Sequence, residues 1–351
     1  MKRNILAALL PLTLLLLLGC AAPQSTQSLS QPAEESTAET VVSSEPATVQ
    51  KLQIVSQPAK TDYQSGELFD PTGLVINAIM SDGTVRENVS YTVENAETPL
   101  KGRTTSVSVL CEDMLLRIPV TVVTSGNLDQ YSVAQTETIE NSPVRGNTYF
   151  WLGSSVTFGA NSEGESMVDF FAKKYDCTCI KEAVSGTTLN ALNPKSYVER
   201  FNQYLASPEK AEHLDGFICQ LSTNDTRNAD AYGIVMPNFI TASDAFDVNT
   251  TFGAIEYIIA TAKETWDCPV YFYTNPPYGK SDYDKMVQGL YQIAEKWGIT
   301  VIDLYADEAF NDITPEQRAL YMDDTIHPTK AGYREWWLPK FAEAILPAAE
   351  Q

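Results

Sequence analysis

Apolar positions along this chain follow two different rhythms, with an unusual stretch ahead of both. Ile5 to Leu18 is a short apolar run broken by Pro11 and Thr13 and headed by Lys2 and Arg3. From Ala21 to about Ala47 large apolar side chains almost vanish, and Ser, Thr, Gln, Glu and Pro take over. Such a segment cannot bury enough surface to offset its chain entropy, so it predicts a disordered tether over 20–48. From 49 to 124 apolar and polar positions alternate in short runs. Leu52 and Ile54 alternate with polar neighbours, and Leu74 to Met80 is followed by the hairpin-type turn Ser81-Asp82-Gly83. Leu116, Ile118, Val120 and Val122 share one face of a last strand. Several short strands separated by turns predict a small β-sandwich.

After a polar connector over 125–146 the rhythm changes. Tyr149 to Leu152, Phe217 to Leu221, Val270 to Tyr273 and Ile299 to Leu304 are near-continuous apolar strands. Between them, Val168, Phe171 and Tyr175 mark one helical face. Phe252, Ile255, Ile259, Ala262 and Trp266 mark a second, and Val287, Leu290, Ala294 and Trp297 a third, which stops at Gly298. Strands that are apolar on both faces and alternate with helices predict an α/β domain over 147–351, with a parallel sheet covered on both sides. In such folds ligands sit beyond the strand C-termini. Trp336 and Trp337 are expected to pack the last helix on the sheet.

Composition narrows the function. The 351 residues carry 24 Lys and Arg against 45 Asp and Glu, a net charge of −21. Polyanion binding needs clustered cations, and none occurs beyond the first three residues, so nucleic acid is not an expected partner. The basic head and short apolar run read as an export signal over 1–19, too short for a spanning helix. Leu17-Leu18-Gly19-Cys20 resembles the bacterial lipobox, which implies cleavage before Cys20, lipidation of its thiol, and an exported lipoprotein tethered to the membrane. The remaining cysteines, Cys111, Cys177, Cys179, Cys219 and Cys268, are odd in number and cannot all pair with one another. Cys177-x-Cys179 lacks a second ligand pair, so neither a metal site nor a cofactor is expected.

Candidate chemistry begins with scarcity. The chain has two histidines, so any imidazole base is His327 or His213. His327 ends Asp323-Asp324-Thr325-Ile326-His327-Pro328. Upstream lie Gly153-Ser154-Ser155, Val184-Ser185-Gly186 and Ser222-Thr223-Asn224-Asp225, with the serines and Asn224 placed just after strands. A serine, oxyanion donors and an Asp/His pair are the parts needed for acyl transfer through a serine nucleophile. Ser154 competes with Ser155 as nucleophile, and Asp323 with Asp324 as partner of the histidine. Asp225 is expected to brace its loop. Thr274-Asn275-Pro276-Pro277-Tyr278 either lines the cleft or forms a rigid loop.

These blocks together resemble the SGNH, or GDSL-type, hydrolase family, over Asn147 to about Leu346. The resemblance implies a three-layer flavodoxin-like sheet, Ser155 as nucleophile, His327 as base and Asp324 as its partner. It also implies an oxyanion hole from Ser155, Gly186 and Asn224. Two positions depart from the family pattern. Ser154 stands in place of the usual aspartate, which is expected to alter how Ser155 is held, and Ser222 in place of a glycine, which is expected to narrow the cleft. Pro58 to Tyr63, Gly66 to Asp70 and Thr72-Gly73-Leu74 resemble the bacterial Ig-like domains of surface proteins, implying a spacer or adhesive module over 49–124. The family's exported members commonly deacylate carbohydrates, so the resemblance points to a surface-anchored esterase acting on acyl, chiefly acetyl, esters of glycans. A short-chain ester substrate, transfer to another hydroxyl, and a non-catalytic glycan-binding or adhesion protein with a degenerate hydrolase domain are the competing readings.

Overall fold

The computed structural model describes residues 46–102 and 104–347. The export signal, Cys20 and nearly all of the tether lie outside the described residues. Among those residues, no helix is long and apolar enough to cross a membrane.

The N-terminal region is all β. Its strands are β1 (Val49–Ser56), β2 (Asp62–Gln64), β3 (Val75–Met80), β4 (Val85–Arg86), β5 (Thr92–Val93), β6 (Ser106–Cys111), β7 (Met114–Pro119) and β8 (Thr121–Val123). They form three small sheets, ordered β1-β3-β4, β2-β8 and β5-β6-β7. The turn at Asp82-Gly83 joins β3 to β4 as the sequence predicts, and Met80 donates to the Thr84 carbonyl at 2.8 Å. The single last strand expected from Leu116 to Val122 is two. β7 pairs with β6 and β8 with β2. Pro119, without an N–H, ends the first ladder, and Val120 turns its amide to the Thr105 carbonyl. The alternation itself holds, since Ile118, Val120 and Val122 are all buried.

From Thr148 onward the chain winds a five-stranded parallel sheet. Its strands are β9 (Thr148–Gly153), β10 (Thr178–Ala183), β11 (Gly216–Gln220), β12 (Val270–Tyr273) and β13 (Thr300–Ile302), in the order β10-β9-β11-β12-β13. Successive side chains of a strand point to opposite faces, and β9 shows what that does to an all-apolar run. Phe150 and Leu152 enter one core with Phe201, Phe217, Ile255, Ile259 and Leu290. Tyr149 and Trp151 enter the other with Phe171, Ile218, Tyr273, Trp337 and Phe341. Helices α3 (Tyr197–Leu205), α4 (Thr251–Trp266) and α5 (Ser281–Trp297) cover the first face, while α2 (Met167–Tyr175) and α8 (Leu338–Ile345) cover the second. Shorter α1 (Ser155–Phe158), α6 (Glu308–Asn311) and α7 (Pro315–Tyr321) complete the set.

Helix ends follow local chemistry. Thr250 caps α4 by accepting from the Gly253 amide, Ser166 and Asp169 form a capping box on α2, and Gly298 closes α5 in the left-handed conformation. Trp336 and Trp337 sit in a π-helical turn, Gly332–Trp337, that runs into α8. Both are buried, Trp337 fully, and Trp337 stacks on Phe341, so they are core residues as expected. Truncating such a side chain typically costs about 3–5 kcal/mol.

The connector is more than a polar link. It forms three short 3₁₀ turns that lie on the α/β region. Asn127 Oδ1 accepts from the Lys330 amide at 2.9 Å, Arg334 donates to the Gln130 carbonyl, and the Val133 amide donates to Glu165. Residues 48 onward form one compact unit.

Candidate active site

The sheet order reverses between β9 and its two neighbours, β10 and β11, and a crevice opens at the strand C-termini where such a reversal occurs. β9 delivers Ser155 to that point, as the first residue of α1. β11 delivers Asn224 a few residues after its end, and the chain after β10 delivers Gly186. The fourth segment, 323–328, comes from beyond α7. A bridge between Met322 and Pro328 pinches it into a loop, with Asp323 donating its amide to the His327 carbonyl at 3.0 Å.

Side chains from the two ends of the domain meet in one row. Ser155 Oγ lies 2.8 Å from His327 Nε2, and His327 Nδ1 lies 2.8 Å from Asp324 Oδ2 and 3.0 Å from Oδ1. Burial alone would raise the Asp324 carboxyl. The hydrogen bond and charge of His327, with the amides of His327 and Ile326, outweigh burial and hold it at about 2. An ionised carboxylate can only accept, so the imidazole proton sits on Nδ1 and Nε2 is left to accept from the serine hydroxyl. Between the competing residues the geometry is decisive. Ser155 faces the histidine, whereas Ser154 is fully buried and bonded elsewhere; Asp324, not Asp323, pairs with the ring. His213 is largely exposed and, among the described residues, pairs with Asp215.

The loops that bear Gly186 and Asn224 are fastened to each other. Asn224 Nδ2 donates to the Thr187 carbonyl at 2.9 Å, using one of its two amide hydrogens. Gly186 has φ +81°, a conformation that a side chain would strain. Asp225 is the brace that the sequence suggests. It accepts from the Leu189 amide at 2.9 Å, Asn190 Nδ2 at 3.1 Å and Thr251 Oγ1 at 2.9 Å. Burial raises its carboxyl in spite of those bonds. The chain from 151 to 335, more than half of its length, matches the GDSL-like lipase/acylhydrolase family.

The chain belongs to that family. It is a carboxylic ester hydrolase of the GDSL, or SGNH, type. Among solved structures it is similar to a protein from Lactobacillus plantarum, at 21% identity over 57% of this chain and 97% of that one, with TM-score 0.45. It is also similar to a variant of an acetyl-xylooligosaccharide esterase from Geobacillus, at 14% identity over 57% and 94% of the two chains, with TM-score 0.41. No curated protein matches it.

Both departures from the family pattern have a structural answer. Ser154 turns inward, and its amide (2.9 Å) and hydroxyl (3.2 Å) both donate to Gln220 Oε1. Thr157 donates to the same oxygen at 2.9 Å, and Tyr197 reaches it at 3.4 Å. Ser222 does not narrow the cleft as expected. Its hydroxyl is fully buried, donating to the Thr187 carbonyl and accepting from the Asn224 amide.

Sequence reading missed two supporting residues. Gln220 ends an otherwise apolar strand, and a lone amide in such a run was a usable signal. Arg200, on α3, is buried with its guanidinium on the Gly153 carbonyl at 2.7 Å and on Glu182 at 2.9 Å. Only folding brings it there. In the loop at 274–278 one side chain has a structural role. Asn275 is fully buried and donates to the Ile326 carbonyl at 3.0 Å, supporting the acid–base loop from below.

Proposed function

We propose that the protein is a membrane-anchored serine esterase that removes acyl groups, chiefly acetyl, from carbohydrate through Ser155, His327 and Asp324. The observation that carries the chemistry is the unbroken row from Ser155 Oγ through the imidazole to the Asp324 carboxylate. As an ester carbonyl approaches, Ser155 Oγ attacks its carbon while Nε2 takes the hydroxyl proton. Asp324 stabilises the imidazolium that forms and keeps the ring in one tautomer. The amides of Ser155 and Gly186 and the side chain of Asn224 receive the negative charge on the carbonyl oxygen. The imidazolium then protonates the departing alcohol, and water repeats the sequence on the acyl-enzyme.

The glycan substrate rests on the family resemblance joined to the N-terminal pattern of export signal, Cys20 and tether. The β region, whose short strands and turns suit an Ig-like module, serves in this reading as a spacer between envelope and catalytic domain. Two experiments test the proposal. Ser155→Ala should abolish hydrolysis of p-nitrophenyl acetate and labelling by a fluorophosphonate probe without loss of fold, and retained activity would falsify the nucleophile assignment. Cys20→Ala should release the protein from the membrane fraction of the expressing cell. Release of acetate from acetylated xylan or peptidoglycan, compared with short acyl esters, decides the substrate class.

A further inference from the structure

Asp324 is not alone in its loop. Asp323 beside it is also an aspartate, and both side chains turn toward a single amide. Asn161, 4% exposed in the turn after α1, donates through Nδ2 to Asp323 Oδ2 at 2.7 Å and to Asp324 Oδ2 at 3.2 Å. The second contact falls on the same carboxylate oxygen that faces His327 Nδ1. We propose that Asn161 is a positioning residue for Asp324, the carboxylate of the triad, and that Thr124 carries this hold from the β region through Asp323. The inference rests on the triad reading given above.

The physical case is one of charge and hydrogen-bond count. Two neighbouring carboxylates repel each other unless something holds them apart in fixed orientations. A primary amide suits the task because it offers two hydrogens and no charge, one for each carboxylate. The outer oxygen of Asp323 is taken by Thr124, whose hydroxyl donates to Oδ1 at 2.7 Å. Thr124 is itself buried and immediately follows β8. Asn127 then fixes Asn161 from behind. Its Nδ2 donates to the Asn161 carbonyl at 2.7 Å, and its Oδ1 takes the Lys330 amide, just beyond the histidine. The β region presses closely here. Gly102 lies so near that a Cβ on it would collide with the Thr124 hydroxyl and the Asp323 carboxylate. Gly102, Thr124 and Asn127 all precede residue 151, where the family match begins. The hold on the Asp324 loop therefore comes partly from residues that precede the family match, beside Asn161 within it.

The test compares kcat and KM for p-nitrophenyl acetate in the full chain and in Asn161→Ala, Asn161→Asp, Thr124→Val, Thr124→Ser and Ser155→Ala, with thermal melts on each. Loss of a hydrogen bond to a charged group predicts a fall in kcat of about ten- to a hundredfold in Asn161→Ala, with KM little changed. Asn161→Asp should fall further, since it adds a third carboxylate. Thr124→Val should lose about three- to tenfold, and Thr124→Ser should recover it because the hydroxyl remains. If Asn161→Ala does not fold, the Thr124 pair decides. Folded Asn161→Ala and Thr124→Val enzymes with unchanged kcat, beside an inactive Ser155→Ala, overturn the positioning inference alone. Activity in Ser155→Ala overturns the triad reading itself.

Discussion

The two halves of the active site are held by different means. The nucleophile turn, residues 153–157, rests on the sheet. Gln220, Tyr273 and Arg200 surround it, and all three are buried. The acid–base loop, residues 323–328, rests on segments that come from elsewhere. Asn275 reaches it from the strand-end loop after β12, Asn161 from the turn after α1, and Thr124 from the end of the β region. Exposure follows the same division, with Ser155 buried and Asp324 only half-buried. A cleft of about 460 Å³ opens beside Asp324, walled by Lys101 of the β region and by Arg318 and Met322. The α/β fold braces both sides, but the acid side also takes a hold from the β region, through Thr124.

Substitutions on the two sides should separate these dependencies. The largest effect is expected from Asp324→Asn, which keeps the shape but reverses the preferred imidazole tautomer. A fall in kcat of about ten-thousandfold is the usual consequence, in a variant that still folds. Asn224→Ala comes next. Removal of one oxyanion donor should cost about a hundredfold to a thousandfold in kcat, measured with KM nearly constant. Gln220→Leu attacks the nucleophile side through stability. The amide of Ser154 and the hydroxyls of Ser154 and Thr157 would lose a buried acceptor, so a loss of about 1–3 kcal/mol should appear in denaturant unfolding. A mild loss there, with normal activity, would show that the turn is held by packing alone.

The smallest effect is a pH dependence. The Asp324 carboxyl titrates at about 2 in the folded chain against an ordinary 3.8. Because the folded value is the lower one, its ionised form stabilises the fold fully above the ordinary value. That contribution is lost as pH falls from about 4 through 2. Thermal melts of the wild type and Asp324→Asn should therefore converge across that window. A gap that stays constant down to about pH 2 would mean that the carboxylate contributes nothing as a charge.

Much of the architecture is legible in the chain. The apolar strands Tyr149–Leu152 and Val270–Tyr273, the helix around Ile255 and Ile259, and the stop at Gly298 are readable because their pattern is local. With only two histidines in the chain, the one that follows a pair of aspartates, His327, stands out as the base. The edge strand β10 and helix α3 are harder to read. β10 is half-exposed, with Lys181 and Glu182 in it, and the polar face of α3 dilutes its apolar signal.

Residue types and order determined which groups could do the chemistry, because only a few side chains can act as nucleophile, base or oxyanion donor, and the nucleophile and oxyanion donors occur just after strands. Which of two adjacent serines and two adjacent aspartates would act was not readable from the residues themselves, and only the family resemblance favoured Ser155 and Asp324, since neighbours in a chain differ only in the direction their side chains take. Tertiary structure decided it. One member of each pair turned toward the imidazole, and the other was drawn away by a partner distant in sequence, Gln220 for Ser154 and Thr124 for Asp323. Local pattern specifies what a segment can form, whereas the direction of a buried polar group is set by whichever donor or acceptor the folded chain brings within reach.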